Sequence, residues 1–464
     1  MARQPESTVP RIRVAVIGGG LAGLAAAVAA REHGLCVELF EARRQLGGRA
    51  GSFQDPDSGE LLDHCQHVAM GCCTNLADFC RRTGVADCFR RDRRLCFIGP
   101  DSRIRAFSAV PFSPSPLHLA PALMRLGYLR LRDRLRIAGT MLTLARDDGS
   151  REIDIAAWLR QQGEQFWSVV LVSALSETLD RISVAAARKV FVDGFLGSRR
   201  AYEVYVPRAP LGEIYDRRIA RWLADHGVAV HLSTPVKQIE AVADVPGTLV
   251  LSDGSRRDFD YFVVALPWRS AAGVLADGVR RAVPALEEAS RMESSPITAV
   301  HLWYDRPIMS LPHAVLVGRL GQWVFNRCEQ ASDSGCYYQV VVSASRDLKG
   351  RNRAEIVGRI RDELSGIWPE ARSARLLRWR MVTNAEAVFS ARPGVDSIRP
   401  PQQTPMANLV LAGDWTATGW PATMEGAVRS GYLAVESVLR SMGRNERVLV
   451  ADLPRDWLAR RLIG

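Results

Sequence analysis

The chain has 464 residues, 47% hydrophobic and 24% charged, an ordinary globular composition with ample length for a large core around a cofactor. Its 61 Lys and Arg outnumber its 50 Asp and Glu, and 13 Arg against 4 Asp fall between Arg81 and Arg136, so the positive excess belongs to one segment. Fibrous and disordered classes are excluded, and so is a membrane span, because the most apolar stretch, residues 14–30, is broken by Gly18, Gly19, Gly20 and Gly23.

The first ten residues are polar, and no signal peptide is expected there. Residues 12–17 read as a β-branched strand that stops at a glycine cluster. An Ala/Leu helix follows to about residue 34, and 37–40 is a second strand, completing a β-α-β unit. Gly18-Gly19-Gly20-Leu21-Ala22-Gly23 fits Gly-x-Gly-x-x-Gly at the strand-to-helix turn. Gly18 permits the tight turn, Gly20 lets the backbone approach a pyrophosphate, and Gly23 lets the helix pack close to the strand. Glu41 ends the second strand 18 residues after Gly23, where a carboxylate can accept hydrogen bonds from a ribose. The chain then reads Glu41-Ala42-Arg43-Arg44-Gln45-Leu46-Gly47-Gly48-Arg49, a second backbone approach to the pyrophosphate with a guanidinium beside it.

Six of the nine cysteines, Cys65, Cys72, Cys73, Cys80, Cys88 and Cys96, follow without a Cys-x-x-Cys pair, so no metal is expected and the thiols read as reduced and packed, in a cytosolic enzyme. Residues 111–121 form a Pro-rich irregular connection into an Arg-rich helix that runs to about 145. Leu131, Leu135, Ala138 and Leu142 fall on one side of it, with Arg130, Arg132, Arg134 and Arg136 at its flanks. Two roles stay open: a cover for the substrate domain, or a helix lying on an anionic membrane surface. No nucleic-acid partner is expected, because no recognised binding module accompanies the basic charge. Only Lys189, Lys237 and Lys349 are lysines, which reads as a composition bias on a solvated surface.

Residues 213–225 read as helix, 228–232 and 236–240 as strands, and 249–251 with 259–266 as a hairpin around Asp253-Gly254. A second sheet is expected from 296–304, 322–326 and 337–343, interrupted by a helix at 353–368. The last strand, 408–412, runs into Gly413-Asp414, and a helix covers 424–439. The expected class is α/β: a discontinuous Rossmann-like nucleotide-binding domain from 10–63, 207–275 and 400–441, a mixed-sheet and helical substrate domain from 64–206 and 276–399, and a tail at 442–464.

The Glu41-to-Arg49 stretch resembles the Glu-x-x-x-x-x-Gly-Gly-Arg extension of FAD-dependent amine oxidases and polyene desaturases. Leu411-Ala412-Gly413-Asp414 and Thr423-Met424-Glu425-Gly426-Ala427 look like the C-terminal motifs of that superfamily, and the string 412–431 is similar to its hydroxysqualene dehydroxylases. The resemblance implies FAD, held by Gly18, Gly20, Leu21, Ala22, Gly23, Glu41, Ala42, Arg43, Gly47, Gly48, Arg49, Val236, Gly413, Asp414, Thr423 and Met424. Asp63-His64-Cys65-Gln66-His67 resembles the family's Asp-Asn-Gly-Gln-His and departs from it at the two middle positions, which makes Asp63, His64 and His67 the candidate acids. The implied reaction is reductive removal of the allylic hydroxyl of hydroxysqualene. The implied setting is cytoplasmic, with peripheral contact to an anionic membrane through 117–146 and association with prenyl synthases. Oxidative polyene desaturation and amine oxidation are the competing readings; covalent flavin attachment near the C-terminal motif is not expected, because no cysteine follows Cys336.

Overall fold

Arg13–Ile17 is a central strand because its residues are buried on both faces, and parallel pairing places Cys36–Phe40 on one side of it and Tyr261–Val264 on the other. In the computed structural model, which describes residues 12–160, 164–242, 245–328 and 335–463, the sheet is completed by Ala229–His231 and Leu409–Leu411 as parallel edge strands. Residues 1–11 and 464, including the two expected to begin the nucleotide-binding domain, lie outside the described residues.

The helices Leu21–Glu32 and Met424–Ser441 cover one face of this sheet. They touch closely because Gly431 has no side chain; a Cβ there would lie 2.4 Å from the Ala22 carbonyl oxygen. The other face packs through Ile17, Phe40 and Phe262 against the antiparallel strands Val236–Val242, Val245–Leu251 and Arg256–Asp258. The expected hairpin is corrected here. The turn falls at Asp253-Gly254, with Gly254 at φ +86°, but Val245–Leu251 pairs with Arg256–Asp258, and Tyr261–Val264 leaves to join the parallel sheet. An apolar run buried on both faces belongs at the centre of a parallel sheet and not in a half-solvated hairpin.

A seven-stranded mixed sheet forms the second layer, in the order Leu376–Phe389, Ser294–Tyr304, Cys336–Ser343, Trp323–Asn326, His313–Leu316, Leu95–Ile98, Ile104–Phe107. Leu376–Phe389 is a 14-residue edge strand with only Phe389 buried, and no element is expected there from the sequence. Helix Arg353–Ile367 packs on one face, and the helices Leu131–Arg146, Glu164–Leu175 and Val184–Phe191 belong to the core on the other.

Leu131–Arg146 buries Ile137, Leu144 and Ala145 and leaves Leu131 and Leu135 about 60% exposed, which corrects the expected stripe. Cys328 and Cys336 form a disulfide, and the other seven cysteines, including the six clustered between Cys65 and Cys96, are free. Among the described residues no helix is long and apolar enough to cross a membrane.

Candidate cofactor and substrate site

The glycine turn is assembled by backbone contacts that no side chain would permit. Gly18 lies at φ +108°, and a Cβ on it would come 2.5 Å from the Ala265 oxygen; one on Gly23 would come 1.9 Å from the Gly18 oxygen. Gly20 is different: a Cβ there meets nothing within 4 Å, so bare backbone borders open space at the start of helix Leu21–Glu32, whose first turn has no side-chain cap. Leu21 and Ala22 are buried as the helix begins. Uncapped N–H groups at a helix start are an anion cradle.

Gly47 donates to the Gly19 carbonyl at 2.9 Å, and a Cβ on Gly48 would lie 3.1 Å from the Gly20 Cα, so the second glycine pair closes over the first. Glu41 accepts the Gly19 N–H at 2.6 Å and the Arg43 N–H at 2.8 Å; Ala42 and Arg43 are exposed beside it. Arg49 donates to Asp414 at 2.5 Å and to the Ala387 carbonyl at 2.9 Å, joining the second glycine pair to the end of strand Leu409–Leu411. Gly413, at φ +151°, donates to Ser430 at 2.8 Å. Thr423 caps Met424–Ser441, its hydroxyl accepting the Gly426 N–H at 3.0 Å, and the buried Tyr215 hydroxyl donates to the Met424 sulfur at 3.5 Å. Val236 packs from the antiparallel sheet against the core that holds Ile17, Phe40 and Trp415. An open backbone groove with one carboxylate at its edge and a second helix start at its far end fits a dinucleotide in donor chemistry.

Beside Met424 opens a cavity of about 230 Å³. Its wall is mostly apolar, from Val68, Leu95, Phe97, Val169, Val170, Val341 and Trp323, and few polar side chains reach it, among them Gln66, Lys189, Asp193 and Glu425. Glu425 is buried, which pushes its carboxyl up, but it is committed to the Asn75 and Leu76 N–H groups that tie the helix start to its neighbour.

Asp63, His64 and His67 lie together on one strand-to-loop segment, yet none of the three lines this cavity; Gln66 between them does. Asp63 accepts from the Ser52 hydroxyl at 2.6 Å and the Leu211 N–H at 2.7 Å, and borders a separate cavity of about 450 Å³ with Tyr337 and Gln339. Burial raises its carboxyl above the usual range. His64 stacks on Phe53, with ring centres 5.3 Å apart, and burial followed by the Arg43 charge holds its imidazole below the usual range. Burial does the same to His67, with Arg49 adding to it, and the ring donates to the Cys65 carbonyl at 2.9 Å. Sequence reasoning missed Lys189, Asp193 and the valines of the wall. The scarcity of lysine, read as bias, was the one signal available for Lys189.

The family model for flavin containing amine oxidoreductases matches residues 21–439. A 15-cis-phytoene desaturase of Solanum lycopersicum is 25% identical over 96% of this chain and 81% of its own length. A hydroxysqualene dehydroxylase of Zymomonas mobilis is 27% identical over 91% of this chain and 98% of its own. Among solved structures, an oxidoreductase from Methanosarcina mazei superimposes with a TM-score of 0.69 over 92% of this chain and 100% of that one, at 17% identity, which speaks to fold alone.

Proposed function

Because the chain belongs to the flavin containing amine oxidoreductase family, with FAD as its cofactor, we propose that it removes the allylic hydroxyl of hydroxysqualene reductively to give squalene. The observation that carries this reading is the cavity: a mostly apolar chamber at the start of helix Met424–Ser441, suited to a hydrocarbon chain, with a small polar set suited to one hydroxyl. Similarity to hydroxysqualene dehydroxylases over more than nine-tenths of the chain supports it.

Reduced FAD, when bound, supplies a hydride. Glu41, the Gly20 backbone and the start of helix Leu21–Glu32 hold the dinucleotide end, with Gly18, Gly23, Gly47 and Gly48 shaping the groove. Arg49 and Asp414 fix the crossing between the two ends. Thr423 and Met424, at the positive end of a long helix, would hold the flavin end of the bound group, where that helix end would favour negative charge. The apolar wall excludes water from the developing allylic cation. Asp63, tied by two donors, holds the loop to the start of the segment at Leu211, and His64 and His67 support the same loop as neutral rings.

The second reading is a polyene desaturase, favoured by the equally similar phytoene desaturases. It requires no polar group for a hydroxyl, and the cavity has several. Peripheral membrane contact belongs to the proposal as well: Phe112, Leu117, Leu131 and Leu135 are exposed, and so are Arg125, Arg130, Arg132 and Arg136 near them in the chain.

The test is anaerobic. Purified enzyme is photoreduced and mixed with hydroxysqualene, and flavin absorbance is followed together with the lipid products. Flavin reoxidation with an equivalent of squalene is the expected result; a flavin that stays reduced without squalene sinks the assignment, and oxidised enzyme that dehydrogenates phytoene supports the second reading.

A further inference from the structure

An Arg-rich chain keeps only three lysines among its 61 basic residues, and one of them, Lys189, lines the apolar cavity. Resting on the dehydroxylase reading, we propose that Lys189 is the group that binds the substrate hydroxyl and protonates it as it leaves.

Lys189 lies in the last turn of helix Val184–Phe191, which continues as the wider π-turn Val192–Leu196. Such turns recur at functional sites because they re-aim side chains out of the regular helical ladder. Here the turn carries Asp193 to the same cavity wall, 2.6 Å from the Lys189 ammonium. The ammonium also sits over the face of Trp420, 4.6 Å from the ring centre. A lysine has three N–H donors, and one suffices for Asp193. Asp452 lies 4.0 Å from the same ammonium, which leaves one donor for a ligand on a side chain held by two carboxylates and a ring.

Two more features of the wall point to a hydroxyl. Trp420 and Gln66 are each more than nine-tenths buried; the Trp420 indole N–H and the Gln66 side-chain oxygen have no hydrogen-bond partner among the described residues. Both residues line this cavity. A hydroxyl both accepts and donates, so a wall that carries the Lys189 ammonium beside the Asp193 carboxylate can meet an alcohol on both counts. Arginine, which fills nearly every other basic position of this chain, holds its proton too tightly to serve as an acid.

In the proposed step the allylic C–O bond breaks, the Lys189 proton goes to the departing oxygen and water leaves. The carbon takes a hydride from reduced flavin, which is left oxidised and is reloaded by an external two-electron donor. Lys189 and Asp193 are about a quarter exposed, so solvent can return the proton.

Lys189→Arg keeps the charge and loses the transferable proton; Lys189→Met loses both. With photoreduced holoenzyme, K189R is expected to be reoxidised by hydroxysqualene on the order of 100-fold more slowly or worse, at near-normal substrate affinity. Oxidised wild-type holoenzyme is expected to bind hydroxysqualene in detergent micelles more tightly than squalene, and K189M to lose most of that preference, about tenfold, with squalene binding unchanged. FAD content and melting temperature are read in parallel. Reoxidation of K189R within a few-fold of wild type overturns the proposal, as does a K189M that keeps its preference for the alcohol. Loss of FAD in both variants assigns Lys189 to seating Trp420 and overturns it too. A wild-type enzyme that hydroxysqualene does not reoxidise defeats the dehydroxylase reading and the Lys189 role with it.

Discussion

The dinucleotide end and the apolar cavity adjoin at Met424, but they are built in opposite ways. The first comes from a few short runs, 18–23, 41–49 and 413–424, in which each residue type has a local reason: a turn, a backbone approach, a cap. The second collects single residues from loops, six strands, four helices and a π-turn, none of which carries a pattern of its own. Chemistry done by backbone is tolerant of surroundings and intolerant of side chains; chemistry done by a shaped chamber is the reverse.

The harshest test of that contrast is Gly23→Val. A side chain there would enter the Gly18 carbonyl, which is backbone and cannot yield. Purified protein is expected to carry no FAD, read from its visible absorbance, and retention of stoichiometric FAD would break the account of the glycine turn. Ala174→Phe, on the cavity wall, should do the opposite: FAD content stays at wild type while kcat/KM falls about 10- to 100-fold, because the added ring occupies substrate volume. Equal losses of FAD in the two variants would erase the distinction between the regions.

The same contrast explains what was legible in the sequence. The glycine turn at Gly18 to Gly23 and the pair Gly47-Gly48 could be read because their spacing sets the backbone contacts: Gly18 at positive φ, Gly23 against the Gly18 carbonyl, Gly47 donating to Gly19. The parallel strands could be read because double burial requires continuous apolar runs, although the run at 261–264 was first paired with the wrong neighbour: a turn at Asp253-Gly254 fixes where a hairpin bends and not how long its second strand is. Strand Leu376–Phe389 left no periodic signal because its side chains are mostly half-exposed at a sheet edge. Lys189 and Asp193 were invisible for a different reason, since their meaning depends on Trp420, more than 200 residues away in the chain.

A charged cluster also supports the cavity half. Asp92 takes two hydrogen bonds from Arg90, at 2.9 and 3.1 Å, and lies 3.2 Å from His313, which joins the small sheet to the strand that supplies Val315 to the cavity. Burial pushes the Asp92 carboxyl up, but these partners outweigh it and hold it at about 2, below the ordinary 3.8. A carboxyl depressed by folding stabilises the folded state when ionised. Its contribution, about 2 kcal/mol, is therefore present above pH 3.8 and lost as pH falls from there towards about 2. Asp92→Asn is expected to cost about that much at neutral pH and to flatten the acid limb of the stability curve, measured by urea unfolding across the pH range; an unchanged acid limb would remove Asp92 from the account.

The smallest expected effect on stability is also the one that separates the two roles open for the Arg-rich helix. Leu131 and Leu135 are about 60% exposed while Ile137, Leu144 and Ala145 carry the packing, so the double variant Leu131→Ser/Leu135→Ser should leave stability within about 0.5 kcal/mol of wild type. If that face serves only as a cover for the chamber, nothing else changes. If it meets a bilayer, sedimentation with vesicles containing anionic phosphatidylglycerol should fall several-fold, while turnover of hydroxysqualene delivered in detergent micelles stays the same. Vesicle binding that stays undiminished without the two leucines would count against the membrane role more heavily than any change in melting temperature, because stability reports only on the buried face of this helix.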